Sequence, residues 1–324
     1  MGPTALYGGA AAIALAAALR LYEHYAGEQP LADAWYELRL RRQELEALDR
    51  RWLANPRRSD IVITLTTLPS RLDRIALTLK SLLGQRVSSA AIRINVPGVS
   101  RRERVAYEIP ERLQRLRSVT IARSDDYGPA TKLIPALVDA AADQRLLVVD
   151  DDRVYHPYLI EQMAALSDAH PDVAIAGSGW DAPRDLTDRP TTLVATLAGR
   201  APAPIKCTRV RGFREVDVMQ GFAGYLVRPR FFDLSALTDY TGAPEAAFFV
   251  DDVWISAHCR ARKIVAQGPR TNFPSLLDAR FFKQSSLGLV NRGGGVPQNR
   301  NNTVMLRYFA DRWRQDAGCC TRKT

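Results

Sequence analysis

The chain has 324 residues, is 46% hydrophobic and 25% charged, and carries a formal net charge of +10. A chain of this length buries about three quarters of the surface its unfolded form exposes, so it needs no disulfide framework, and its composition excludes wholesale disorder. A basic surface favours anionic partners, but the sequence holds no zinc-finger spacing or aromatic–basic RNA motif, so nucleic acid is not an expected partner. The four cysteines (Cys207, Cys259, Cys319, Cys320) fit neither a disulfide spacing nor a CxxC metal site.

Residues 3–19 carry no charge and are mostly alanine, with Leu6, Ile13, Leu15 and Leu19 among them. That length is at the short end of what spans a bilayer, and residues 1–22 are expected to form an N-terminal membrane-anchor helix. Arg20, Arg39, Arg41 and Arg42 follow the segment and no Lys or Arg precedes it. The positive-inside rule then predicts a single-pass anchor with the remaining chain on the cytoplasmic side. Residues 23–58 read as an amphipathic helix and linker. Trp35–Trp52 carries Leu38, Leu45 and Leu48 at helical spacing, either to lie on anionic lipid or to pack on the body, and Asn55-Pro56-Arg57-Arg58 ends it.

A main domain is expected over 59–290. Its strands are predicted at Asp60–Leu68, Ala91–Val96, Ser118–Ala122 and Arg145–Val149. Helices are predicted at Leu72–Leu83, Pro129–Ala142 and Leu159–Ala169. Strands alternating with helices imply an α/β fold, a mostly parallel sheet flanked by helices on both faces. Ligands of such sheets bind outside the carboxyl ends of the strands. Three loops should converge there: Thr67–Arg71, Asp125–Lys132 and Asp150-Asp151-Asp152. Residues 291–324 read as a polar C-terminal loop and tail, with Asn291–Asn302 either a lid over the ligand or a surface loop.

Three adjacent carboxylates at a strand end repel one another, and a divalent cation, Mn²⁺ or Mg²⁺, relieves that while bridging to substrate phosphates. Alternation along an extended chain puts Asp150 and Asp152 on one side. An acidic turn that caps a helix is the competing reading. Gly128 and Pro129 open a helix whose first turns hold Lys132, a setting for anionic groups or for ordinary capping by Asp125 or Asp126. Asp251 and Asp252 precede a helix after the strand-like run Ala246–Val250; a carboxylate there is either a general base or an N-cap. His258 on that helix is a packed residue or a third metal ligand.

Taken together, ITLTTLPSR, DDYGPATKL, VVDDDRVYHP, GFAGYLVRP and FFVDDVWISAHCRAR resemble, in order, the motifs of GT-A (Rossmann-like) glycosyltransferases, especially family 2. The triple aspartate and the last segment also resemble exostosin-type enzymes. The resemblance covers about residues 60–265. It implies a metal-dependent glycosyltransferase, hexosyl- or N-acetylhexosaminyl-, that moves a sugar from a nucleotide-sugar donor, a UDP-sugar, to a glycan or lipid-linked acceptor. It further implies donor contacts from Thr66, Thr67, Arg71, Asp126, Gly128, Lys132, Asp150 and Asp151, and metal binding by Asp152 with Asp150. Gly221 and Gly224 would face the acceptor, and Asp252, with Asp251 as its rival, would be catalytic. The family's acidic turn after the second strand is replaced here by Asn95-Val96-Pro97-Gly98-Val99. Two other readings compete: a nucleotidyltransferase-like phosphate-transfer enzyme, and a non-catalytic membrane-tethered scaffold with a degenerate transferase fold.

Overall fold

Strands form where β-branched and leucine-rich runs meet polar turns. The computed structural model describes residues 9, 13, 14, 16–18, 20, 21, 23, 29–284, 287, 291 and 293–314. Its strands are β1 (Val62–Thr66), β2 (Ala91–Val96), β3 (Val119–Arg123), β4 (Leu146–Val148), β5 (Arg153–Tyr155), β6 (Val173–Ala176), β7 (Ser178–Trp180), β8 (Ile205–Lys206), β9 (Phe213–Glu215), β10 (Val218–Met219), β11 (Tyr225–Val227), β12 (Arg262–Ala266) and β13 (Asn272–Pro274). Eight of them form one sheet in the order β3-β2-β1-β4-β11-β6-β12-β9. β3, β2, β1 and β4 are parallel, as are β6 and β12. β11 runs antiparallel between β4 and β6, and β9 antiparallel beside β12.

Side chains alternate across this sheet and build two cores. Leu147, Val149 and Leu226 join the cluster of Leu48, Leu79 and Leu159, which come from α2 (Leu45–Ala54), α3 (Ala76–Leu83) and α5 (Leu159–Ala169). Leu146, Val148 and Tyr225 join the opposite cluster of Ile134, Trp254 and Leu306, from α4 (Ile134–Asp139), α6 (Asp251–His258) and α7 (Asn301–Tyr308). The α/β sheet flanked by helices on both faces is thus the observed architecture.

Several elements depart from the sequence expectation. Trp35–Trp52 is not one helix: α1 (Pro30–Arg41) and α2 are separated at Arg42–Glu44, where Glu44 takes extended angles (φ −76°, ψ 137°). Both helices are fastened to the body by inward-facing acids. Asp33 pairs with Arg270, Glu37 accepts from Ser275 Oγ (2.9 Å) and the Leu276 amide (2.7 Å), and Asp49 accepts from the Ser118 amide (3.0 Å). The helix expected over Pro129–Ala142 is a 3-10 turn at Gly128–Lys132 followed by the short α4, with Pro135 in the first turn of α4, where its missing N–H costs nothing. Ala246–Val250 is not strand-like but largely a 3-10 turn, Glu245–Phe248. The supposed polar tail contributes Met305, Leu306, Phe309 and Trp313 to a core. Most of the expected anchor, 1–22, lies outside the described residues; among the described residues no helix is long and apolar enough to cross a membrane.

The seat of α1 is acid-sensitive. His156 stacks between Tyr36 (5.9 Å) and Tyr158 (5.5 Å), and its Nε2 stands 3.9 Å from Asp33 Oδ1 without a hydrogen bond. Burial, helped by the Arg270 charge, pushes its pKa down to about 4. The unfolded chain, with an imidazole near pKa ~6.5, binds this proton more tightly, so the stability is present above about pH 6.5 and is lost as pH falls toward the folded value. The expected difference is at most about 3 kcal/mol. His156→Phe should flatten the fall of the melting temperature between these two pH values; an unchanged fall would contradict this assignment.

Candidate active site

A cleft of about 450 Å³ opens at the carboxyl ends of β1–β4. Thr66 ends β1 and Thr67 and Arg71 follow it, Asp126, Gly128 and Lys132 follow β3, and Asp150, Asp151 and Asp152 follow β4; all of them line the cleft, and Asp251 and Asp252 at the start of α6 close its far side. The three expected loops therefore meet.

Within the triple aspartate each carboxylate has a different cationic neighbour. β4 ends at Val148 and the chain turns before β5, so the extended alternation expected to pair Asp150 with Asp152 stops short of them. Asp150 Oδ1 lies 2.5 Å from Lys132 Nζ. Asp151 is buried, accepts from Thr67 Oγ1 (2.6 Å) and Arg71 (2.9 Å), and its backbone carbonyl accepts from Thr78 Oγ1 (2.7 Å). Asp151 thereby braces the loop after β1. Asp152 has only the distant Arg153 Nε at 3.6 Å, and burial together with the Asp151 and Asp150 charges raises its carboxyl to about 6.

Lys132 is the centre of the site. Its ammonium also reaches Asp251 Oδ2 at 2.7 Å, an ion pair without the alignment of a hydrogen bond. It is buried, yet Asp150, Asp251 and Asp252 hold its pKa well above the ordinary lysine value against that burial. The space it occupies exists because residue 221 is glycine: a Cβ there would stand 2.5 Å from Nζ and 2.9 Å from Asp150 Oδ1. The Gly221 amide donates to Asp252 Oδ1 at 3.1 Å. Burial, then the Asp251 charge, raises Asp252 well above the usual carboxylate range, with Lys132 opposing.

The remaining expected residues are placed as follows. Asp126 accepts from the Gly128 amide (2.8 Å) and the Arg101 amide (2.7 Å), fixing the loop after β3. Gly128 has φ +61° and a Cβ there would lie 2.2 Å from the Phe248 carbonyl oxygen, so no side chain fits. Neither Gly221 nor Gly224, both expected to face the acceptor, is in the cleft lining; Gly224 has φ +78° and faces Leu147 and Leu159. Its expected acceptor contact is replaced by a backbone turn that starts β11. Asn95 is buried and donates to Thr64 Oγ1 (2.9 Å), so it serves the sheet rather than the cleft. His258 packs against Trp254 and Phe309, and its Nδ1 lies 2.8 Å from the Trp254 carbonyl oxygen, away from any ligand role. Asn291 and Asn302 reach the cleft rim.

The sequence reading missed Arg102, Phe222, Phe248 and Trp180, which also line the cleft. Arg102 sits in a run of charges with no periodic signal, and Trp180 lies in the stretch between the triple-aspartate motif and the Gly221–Pro229 motif, outside any recognised motif. Arg153, also not among the expected residues, lines the cleft and lies over the Phe222 ring at 4.8 Å; its place directly after the aspartates was the signal that could have found it.

A divalent cation fits this donor set in one way. Among the described residues no group of three or more His, Cys, Asp or Glu side chains is arranged to hold a metal ion. Mg²⁺-type sites commonly use one or two carboxylates and take further ligands from substrate phosphates. Asp152, whose carboxyl is raised by burial and by the Asp151 and Asp150 charges and which has no ion pair closer than 3.6 Å among the described residues, is the residue such a cation would relieve.

No protein family matches the chain, and no curated protein matches it. Solved structures similar to it in fold include S. aureus TarS residues 1–349, at 13% identity and TM-score 0.41, over 79% of this chain and 71% of that one. UDP-glucose pyrophosphorylase complexed with UDP-glucose aligns at 10% identity and TM-score 0.39, over 71% and 99%. GalNAc-T7 with UDP, GalNAc and Mn²⁺ aligns at 12% identity and TM-score 0.42, over 66% and 42%. These neighbours are GT-A-type glycosyltransferases and a UDP-glucose pyrophosphorylase. At so low a likeness they establish nothing about what this chain binds or does.

Removing one partner of a buried ion pair strands the other charge, typically at about 3–5 kcal/mol. Lys132→Met should therefore lower stability by that order, measured by denaturant unfolding. Lys132→Met/Asp251→Asn should recover part of it. A single variant as stable as wild type would show that the ammonium does not hold these carboxylates.

Proposed function

We propose that this chain is a glycosyltransferase that moves a hexosyl or N-acetylhexosaminyl group from a UDP-sugar to a hydroxyl of a glycan or lipid-linked acceptor. The observation that carries this reading is the convergence of the loops after β1, β3 and β4 on one cleft, with carboxylates on both its sides. The order of motifs in the sequence points the same way.

The donor diphosphate lies at the Asp150–Asp152 side, near Arg71 and Arg102. Asp152, with Asp150 in support, would hold a divalent cation, Mn²⁺ or Mg²⁺, which would offset the charge that develops on the diphosphate. On the other side Asp252 accepts the proton of the acceptor hydroxyl. The acceptor oxygen forms its bond to the anomeric carbon, the bond from that carbon to the phosphate oxygen breaks, and the electron pair leaves with UDP. Asp251, paired to Lys132, orients the start of α6. We also propose that residues 3–19 tether the chain to a membrane, with the catalytic body on the cytoplasmic side.

Two substitutions separate these roles. Asp152→Asn should weaken Mn²⁺-dependent UDP binding by at least about tenfold in calorimetry, roughly 1.4 kcal/mol, with the melting curve still cooperative. Unchanged binding would remove Asp152 from the donor site. Asp252→Asn should leave UDP affinity within about threefold of wild type and cut turnover by about 10²–10⁴-fold. Full transfer by this variant, with loss in Asp251→Asn, would exchange the two assignments.

A further inference from the structure

α1 is built inside out. Its inward side carries Asp33, Glu37 and Leu40, all buried. Its outward side carries Leu31, Trp35 and Leu38, which are 72%, 63% and 49% exposed. These three positions are spaced i, i+4 and i+7, so they share one helical face. Arg42, four residues after Leu38, continues that face, and the Arg39 guanidinium lies 5.6 Å from the centre of the Trp35 ring. Both arginines are exposed. The next segment of the body extends the apolar surface: Leu276, whose amide donates to Glu37, and Leu277 are exposed at 45% and 64%.

A water-soluble helix normally turns such side chains inward and its acids outward. Here the acids are consumed by the body: Asp33 pairs with Arg270, and Glu37 bonds Arg41, Ser275 and Leu276. Inward burial of the acids leaves the outer side apolar and positive. On α2, Arg50 and Arg51 are exposed as well.

We propose that the outer face of α1, formed by Leu31, Trp35 and Leu38 and bordered by Arg39 and Arg42, docks the body flat on an anionic lipid surface. Tryptophan and leucine enter the headgroup boundary, while the arginines remain at the level of the lipid phosphates. Charge complementarity selects this occupant over a second copy of the chain, whose identical face would set arginines against arginines. The inference is independent of the tether at residues 3–19; it concerns how the catalytic body sits once at the surface.

Trp35 supplies its own probe. The other four tryptophans, Trp52, Trp180, Trp254 and Trp313, are buried. The full chain is mixed with phosphatidylcholine–phosphatidylglycerol vesicles whose acyl chains are brominated, and tryptophan quenching is read beside co-sedimentation. Quenching is expected, and Trp35→Phe should remove it. Arg39→Gln/Arg42→Gln should weaken docking of the face, read as Trp35 quenching on vesicles that still carry the protein, by about tenfold or more, since each basic residue near an anionic surface contributes about fivefold. Vesicles of phosphatidylcholine alone should quench Trp35 correspondingly less. Co-sedimentation with Trp35 unquenched would overturn the docking face while leaving the tether standing. Trp35 becoming shielded with rising protein concentration and no lipid would assign the face to self-association and equally overturn it.

Discussion

One buried ammonium group organises this site. Lys132 sits between Asp150, at the end of a parallel strand, and Asp251, at the start of α6 on the opposite wall. A buried lysine that faced only apolar atoms would shed its proton; two carboxylates at ion-pair distance keep it charged. The consequence is geometric as well as electrostatic. The strand that ends in the triple aspartate and the helix that carries the proposed base are tied through a single nitrogen atom. Gly221 leaves the room for that atom and at the same time donates its amide to Asp252.

The sheet topology makes this junction possible. β11 is inserted antiparallel between β4 and β6, so the turn leading into β11 arrives beside the carboxyl end of β4. That turn holds Gly221, which sits against Lys132 and Asp150, and Phe222, which lines the cleft. The same economy of charge recurs at the N-terminal helices. There the acids are also drawn inward to arginine and serine partners, which leaves an outer face unlike that of an ordinary soluble helix.

Much of this was legible in the sequence because it followed from short periodicities. β2 (Ala91–Val96) and α5 (Leu159–Ala169) have the limits that their apolar runs imply. The meeting of the loops after β1, β3 and β4 followed from the rule that parallel strands present their carboxyl ends to one crevice. What was not legible depended on tertiary partners. No local signal says that Asp151 faces Arg71 while Asp150 faces Lys132, since three identical residues in a row look alike. The break between α1 and α2 was hidden because Gln43 and Glu44 are good helix formers, and packing overrides propensity. Gly224 looked like a ligand-facing glycine but answers a backbone need at φ +78°.

The account stands or falls on where a nucleotide diphosphate sits. The most direct measurement is a crystal of the full chain grown with UDP and Mn²⁺, with anomalous scattering collected for manganese. The account predicts one strong manganese peak between the Asp152 carboxylate and the diphosphate, with the nucleotide lying along the loops after β1 and β3. UDP bound elsewhere on the molecule, or a manganese peak remote from Asp150–Asp152, would contradict it.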